Sequence, residues 1–444
     1  MMADSGMGHV LVIGAGFTGL AAALDLSQAG IPVTVLEADS HVGGLAGSFD
    51  TEGERLDRFY HHWFTSDHDI MQLVEDLGLS NEITLRATAT GVWYNNSLFR
   101  LSKPMDLLRF SALPVLDRIR LGLMIPRARA VKDWRALEGI TAAEWLRQLG
   151  GERVWRVMWE PLLKGKFGPY ADSVSAVWFW NKLKLRGGSR GKRGEERLAY
   201  FKGSFARLAE ETAAAIRAAG GKIVTDAPVT ILARQGSGWV ARGPWGSVAG
   251  DHVIATTAPT LVAEMLEPSG QATPEILAQL RRIPYLANLC LVLELDRALG
   301  STYWTNVNDP GFPYVGVIEH TDFESPETYG GRHIVYLSRY LSETDDLFRM
   351  SDDEVMAFSL PHLQRMFPAF EQAWVRRFHV WRARWAQPVV ERHYSALIPP
   401  REGVMPGLYL ASMAQIYPED RGTNYAVREG RRVAALVRSH VRHG

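Results

Sequence analysis

His9-Val10-Leu11-Val12-Ile13 is a short apolar run rich in β-branched residues, and Gly14-Ala15-Gly16-Phe17-Thr18-Gly19 follows it at once. Such a run reads as a buried parallel strand. Leu20 to Ala29 then reads as a helix ending at Gly30, and Ile31 to Leu36 as a second strand closed by Glu37. Strand, glycine turn, helix and strand in this order constrain the chain more than any other feature. Gly14 permits a tight turn, Gly16 lets the backbone approach a pyrophosphate, and Gly19 lets helix and strand pack closely. The helix start offers unpaired N–H groups and a positive dipole end to the phosphates. Glu37 lies 18 positions after Gly19, where a carboxylate can accept from a ribose diol. The pattern predicts a dinucleotide site, with Phe17, Thr18 and Ala38 beside these groups as further candidates.

A second glycine pair, Gly43-Gly44, follows Glu37 after five intervening residues and continues into Leu45-Ala46-Gly47-Ser48. By itself it reads equally as a hairpin turn. Taken together, Gly14 to Ser48 resembles the double glycine signature of the FAD-binding family that contains flavin amine oxidases, protoporphyrinogen oxidases and phytoene desaturases. The resemblance implies bound FAD, with the adenosine ribose on Glu37 and the pyrophosphate across both glycine segments. It also implies contacts from Val229 to the adenine, from Thr256 in an Ala-Thr-x-x-Pro-like segment, and from Gly422, Asn424 and Tyr425 at the start of the last helix. Two positions depart from the family pattern. Leu45 stands where an Arg is common, and Ser412-Met413 stands where Gly-Asp is usual, leaving Ser412 or nearby backbone to meet the flavin. The resemblance covers nearly the whole chain in pattern, but its specific motifs lie at the two ends.

Composition narrows the setting. The 444 residues carry 49 Lys+Arg and 49 Asp+Glu, so the footprint of a general nucleic-acid binder is missing. With 46% hydrophobic and 22% charged residues the chain is globular. The single cysteine, Cys290, excludes an intrachain disulfide and a thiolate metal cluster, and a cytoplasmic setting follows. Met1 to His9 lacks the form of a targeting signal. The longest apolar stretch, Leu107 to Ile125, is interrupted by Arg109, Asp117, Arg118 and Arg120, so no spanning helix is expected. That stretch is expected to pack on its own domain, with peripheral membrane contact as the alternative.

The expected fold is α/β: a Rossmann-like FAD-binding domain, a mixed-sheet substrate domain and an inserted helical cap. The FAD domain takes residues 1–85, 201–262 and 403–444; the substrate domain takes 86–103 and 263–402; the cap takes 104–200. Thr141-Ala142-Ala143-Glu144 predicts a capping box inside the cap. Strands are expected over Leu85 to Leu101, Val229 to Leu232, Leu286 to Leu295, Tyr314 to Glu319 and His333 to Arg339, and helices over Phe201 to Ala219 and Thr423 to Val441. Thr423 is the expected N-cap.

Candidate chemistry is sparse, because flavin enzymes leave the difficult step to the cofactor. No hydrolytic triad or zinc motif can be read, and no metal is expected. His61 and His62 occupy an aromatic loop that, by the resemblance, turns towards the flavin; each is a candidate acid or base, a flavin hydrogen-bond partner, or a structural residue. Arg421 is a candidate charge beside the flavin pyrimidine edge, where reduced flavin is negative, or else a surface partner of Glu419 or Asp420. Lys164 and Lys166 are either helix-end cations or anion binders. Lys182 to Arg197 holds seven basic residues and reads as a solvated linker or a mobile loop over an anionic partner. Cys290 reads as a buried small hydrophobe.

Three functions compete. The leading expectation is an FAD-dependent oxidoreductase that moves a hydride between flavin N5 and an apolar, amphiphilic or lipid-like small molecule, with oxygen, a quinone or another protein as electron acceptor. The second is a redox-neutral flavoenzyme resembling UDP-galactopyranose mutase or a carotene isomerase. The third is a binding protein resembling guanine-nucleotide dissociation inhibitors, against which the intact Glu37 and Gly43-Gly44 count.

Overall fold

Val10–Ile13 pairs in parallel with Val33–Leu36 on one side and His252–Ala255 on the other. Lys222–Val224 and Leu408–Leu410 extend the two edges, giving a five-stranded parallel sheet in the order 222–224, 33–36, 10–13, 252–255, 408–410. All four residues of the first strand are buried, as a strand covered by helices on both faces requires. The computed structural model describes residues 8–185 and 196–441, so most of the basic 182–197 segment lies outside the described residues.

Helix Phe17–Gln28 follows the glycine turn, and the final helix, Thr423–Val441, packs directly against it. Their approach depends on Gly430, where an added Cβ would stand 2.3 Å from the Thr18 carbonyl oxygen. The last helix spans the residues expected for it. It begins at Thr423 itself, whose hydroxyl accepts from Trp63 Nε1 at 2.8 Å, so the expected N-cap place falls one residue earlier.

A seven-stranded mixed sheet forms the second layer, in the order 375–388, 285–295, 333–341, 316–319, 304–307, 90–94, 97–100. Its centre is Tyr285–Leu295, ten of whose eleven residues are buried. Cys290 is fully buried there, and burial pushes its thiol pKa up, consistent with a packing role. Val375–Pro388 is a strand that the sequence pattern did not single out, and it carries Arg376, Arg377, Arg382 and Arg384. Among the described residues it is an edge strand pairing only with 285–295, and a basic edge blocks further strand addition. The expected helix from Phe201 is shorter: Glu196–Phe201 is a strand between 63–64 and 83–88, and the helix runs Ser204–Ala218.

The cap is helical, as expected. Thr141 Oγ1 accepts from Glu144 N at 3.1 Å and Glu144 Oε2 accepts from Thr141 N at 2.8 Å, closing the predicted box. No helix among the described residues is long and apolar enough to cross a membrane. Helix Val115–Ala130 buries Leu121, Met124 and Ala128 against the cap but leaves Leu116, Ile119 and Leu123 exposed.

Candidate active site

Three of the parallel strands end in residues singled out from sequence: Ile13 before Gly14, Leu36 before Glu37, and Ala255 before Thr256, with Ser412 just beyond Leu410. Open α/β sheets bind ligands at these carboxyl ends. The two glycine segments lie side by side: Gly16 and Gly43 form a parallel bridge, and Gly43 N donates to Ala15 O at 2.8 Å. Gly14 has φ +101°, and a Cβ there would meet Thr256 Oγ1 at 2.7 Å. Gly44 has φ +57° and faces the Gly16 Cα. At Gly16 a Cβ would meet nothing within 4 Å, so that backbone borders open space. The Gly16 N-cap makes no side-chain hydrogen bond, which leaves the first amides of the helix for a ligand.

Glu37 closes this cradle. Its Oε2 accepts from Ala15 N at 2.6 Å and its Oε1 from Asp39 N at 2.9 Å, leaving lone pairs on both oxygens. An open glycine edge, uncapped amides and a fixed carboxylate fit a dinucleotide diphosphate and its ribose.

A cavity of about 820 Å³ extends from the cradle between the two sheets and the cap. It is lined by Gly14, Gly16, Phe17, Thr18, Glu37, Gly43, Gly44, Leu45, His61, His62, Thr256, Ser412, Arg421, Gly422, Asn424 and Tyr425. Gly19, Ala38 and Val229 do not line it. Gly19 is packed instead, since a Cβ would fall 1.9 Å from Gly14 O, and Val229 belongs to an apolar cluster behind the sheet. Several polar groups among the candidates already have partners. Thr256 Oγ1 donates to Ile13 O at 2.8 Å, Ser412 Oγ donates to Gln415 Oε1 at 2.7 Å, and Asn424 Oδ1 accepts from Ile70 N at 3.1 Å. They hold the cradle's shape.

Arg58 was not anticipated. It lines the cavity near the glycine pair, donates to Asp39 Oδ2 at 2.9 Å and to Ser48 O at 3.2 Å, and lies 4.8 Å over the Trp381 ring. Its Cζ would stand 3.8 Å from a Cβ at Gly47, two residues after Leu45, where the family pattern has its Arg.

The histidines are neutral groups. Burial, with Arg421 adding to it, lowers the His61 pKa to about 4 despite the Phe59 carbonyl. Burial, with His61 and Lys182 adding to it, lowers that of His62 to about 3. His61 Nδ1 lies 2.7 Å from Phe59 O, which can only accept, so Nδ1 carries the proton and Nε2 is an acceptor. His62 Nδ1 pairs with Tyr303 OH at 3.0 Å. Neither is matched to proton transfer near neutrality.

A cationic cluster stands on the cap side. Lys182 Nζ lies 2.5 Å and Lys166 Nζ 3.6 Å from Asp420 Oδ2, and Lys166 sits 4.9 Å over Trp178 and 5.2 Å over Tyr340. Arg421 does not pair with Glu419, which is held by Arg428 at 2.9 Å. It donates to Tyr340 OH at 2.6 Å and to Gln387 Oε1 at 2.9 Å. Burial raises the Tyr340 pKa, but Arg421 and Lys166 outweigh it and the net shift is downward. Asp420 is driven well below the usual carboxylate range because Lys182, Lys166 and Arg421 overcome its burial. Trp159, Trp178, Trp304 and Tyr340 supply the aromatic wall. Lys164 points elsewhere, to Glu160 at 2.8 Å.

Residues 17–438 match the family model described as flavin containing amine oxidoreductase. A probable zeta-carotene desaturase of Synechococcus elongatus is 30% identical over 177 residues, covering 35% of this chain and 37% of that protein. The chain thus matches little more than a third of such a relative's length. A solved structure from Exiguobacterium sp. 255-15, provisionally assigned as a protoporphyrinogen oxidase, superposes with TM-score 0.77 at 16% identity, covering 98% of this chain and 99% of that one. Reduced UDP-galactopyranose mutase superposes with TM-score 0.74 at 14% identity, covering 97% and 96%. With a cradle built for a dinucleotide and a family defined by flavin, the cofactor is FAD, and the chain belongs to the flavin-containing amine oxidoreductase family.

Proposed function

We propose that the chain is an FAD-dependent oxidoreductase acting on a C–H bond of an apolar or amphiphilic substrate. The supporting observation is that one cavity joins the glycine cradle to the wall formed by Trp159, Trp178, Trp304 and Tyr340. Bound FAD supplies hydride exchange at N5. The chain holds it through the amides at Gly16 and Gly44 and the Glu37 carboxylate, with Arg58 near the diphosphate. Arg421 keeps a fixed cation where the last helix begins, matching charge that grows on a reduced ring. His61 and His62 act as neutral hydrogen-bonding groups, and the aromatic wall excludes water. Lys166 and Lys182 orient an acidic group of an amphiphile. The zeta-carotene desaturase among the relatives and a coproporphyrinogen III oxidase of Propionibacterium freudenreichii, 28% identical over 187 residues, support both the reaction type and a large substrate. In this reading residues 1–85, 201–262 and 403–444 carry the flavin, 86–103 and 263–402 the substrate, and 104–200 the cap. On the same reading the enzyme works in the cytoplasm or on the inner face of a membrane, in keeping with a single cysteine, Cys290.

A redox-neutral reaction of the UDP-galactopyranose mutase kind is the second reading. It is favoured by Lys166, Lys182 and Arg421 outnumbering Asp420, which suits a phosphate-bearing ligand. Anaerobic mixing with amines, porphyrinogens, polyprenols and nucleotide sugars separates the two. Substrate-dependent bleaching of the flavin supports the first. Turnover that needs prior reduction by dithionite yet consumes no net electrons replaces it with the second.

A further inference from the structure

Among the described residues, ten large apolar side chains are more than a third exposed, and seven of them fall between Leu98 and Leu123. Single exposed apolar residues are ordinary, but a contiguous group marks an interaction surface. Leu116, Ile119 and Leu123 stand at i, i+3 and i+7 on helix Val115–Ala130, exposed by 71%, 49% and 43%. The opposite stripe, Leu121, Met124 and Ala128, already packs on the cap. The helix is therefore apolar on two faces and only one is covered. Met105 and Leu108, exposed by 58% and 54%, belong to the neighbouring helix Pro104–Arg109. The two helices are locked together. Leu107 lies against Gly122, and Arg118 donates to the carbonyls of Leu108 and, at 2.7 Å, Leu113.

The charge around this face is lopsided. Residues 98–132 contain eight basic residues (Arg100, Lys103, Arg109, Arg118, Arg120, Arg127, Arg129, Lys132) and two acids, Asp106 and Asp117, in a chain whose net charge is zero. Both acids are occupied. Asp106 accepts from Ser102 N and Lys103 N at 3.0 and 2.8 Å, and buried Asp117 binds Arg120 and Arg153 at 2.8 and 3.3 Å. An apolar stripe bordered by cations suits an anionic bilayer leaflet, where the side chains enter the acyl boundary and the cations meet headgroups. A second copy of the chain would set two such positive faces against each other.

We infer that this face of the cap, centred on Leu116, Ile119 and Leu123 with Met105 and Leu108 beside them, docks on the surface of an anionic membrane. The docking bears on the cavity through one shared element. Helix Ala176–Leu185 ties to the docking helix by Trp180 Nε1 donating to Ala128 O at 2.8 Å, and its Trp178, Phe179, Lys182, Leu183 and Leu185 line the cavity. One helix therefore separates the lipid surface from the site.

The test is flotation of the full chain with vesicles of equal phosphatidylglycerol and phosphatidylcholine, against vesicles of phosphatidylcholine alone. Wild type should partition at least about tenfold better onto the anionic vesicles. Leu116→Asp with Ile119→Asp should lower that by about tenfold or more, and Lys103→Glu with Arg109→Glu should remove the preference for anionic lipid. Retained flavin and an unchanged melting temperature verify that each variant is folded, separately from lipid binding. Failure of wild type to float, or equal flotation of the Asp variant, overturns the inference. So does a dimer in sedimentation that the Asp variant disperses, which gives the face to a second copy.

Discussion

Glu37 Oε2 accepts the Ala15 main-chain N–H at 2.6 Å, joining the end of the second strand to the middle of the glycine turn. The carboxylate thus both shapes the cradle and faces its opening. Glu37→Gln keeps the size but removes the charge and one of the two acceptors. Hydrogen bonds to charged groups contribute about 1.5–3 kcal/mol, so FAD affinity should fall roughly 10- to 150-fold. Fluorescence titration of the apoprotein with FAD reads this directly, and an unchanged dissociation constant contradicts the assignment.

Gly16 and Gly19 separate ligand space from packing space. At Gly16, with φ −71°, a side chain meets nothing within 4 Å, whereas at Gly19 it would stand 1.9 Å from Gly14 O. Gly16→Val should leave the melting temperature of the apoprotein nearly unchanged while abolishing flavin retention. Gly19→Ala should destabilise the apoprotein by about 1–3 kcal/mol or more through overpacking. Thermal melts and flavin content of both variants check the contrast, and loss of fold in Gly16→Val would defeat it.

Asp57 gives a pH signature. It is buried, accepts from Tyr200 OH at 2.6 Å and Phe205 N at 3.2 Å, and burial outweighs both bonds to raise its pKa to about 7. A carboxyl whose folded pKa is raised stabilises below its unfolded value near 4, and that contribution is lost as pH rises through about 7. The stability difference between wild type and Asp57→Asn should therefore move against wild type from pH 5 to pH 7, by at most about 1.4 kcal/mol per unit. Urea unfolding at pH 5, 6, 7 and 8 measures it. The difference is used because His61 and His62, with lowered pKa values, give the opposite slope below their unfolded pKa.

Asp420 is the shared carboxylate partner of Lys166 and Lys182 at the cavity wall. Asp420→Asn should cost about 2–4 kcal/mol, below the full value for a buried pair because Lys182 is 41% exposed. Adding Lys166→Met should restore part of that loss by removing the stranded charge. Urea unfolding of single and double variants decides; a double variant no more stable than the single one contradicts the coupling.

The parallel sheet and its glycine turn were legible because local pattern and tertiary position agree: Val10–Ile13 is apolar throughout and is buried throughout. The last helix was legible for a similar reason, its amphipathic run following directly on Gly422 and Thr423. Val375–Pro388 was not, because the arginines that protect a sheet edge resemble those of a solvated segment. The Lys166–Lys182–Asp420 cluster joins residues far apart in sequence, so only the fold brings them together. Arg421 presented two readings, and Tyr340 and Gln387, in strands of the other sheet, decide against a pairing with Glu419. Helix Val115–Ala130 packs on its own domain through Leu121, Met124 and Ala128, as expected, while Leu116, Ile119 and Leu123 are exposed, because hydrophobicity in sequence does not tell which face finds a partner.

The central claim is that the two glycine segments and Glu37 hold FAD. The most direct test is the absorbance spectrum and flavin content of the purified chain after incubation with FAD and removal of excess. The expected result is a flavin spectrum with close to one FAD released per chain on denaturation, and a large loss in Gly16→Val. A folded wild-type protein that remains colourless, or a Gly16→Val variant that retains flavin as fully as wild type, would contradict it.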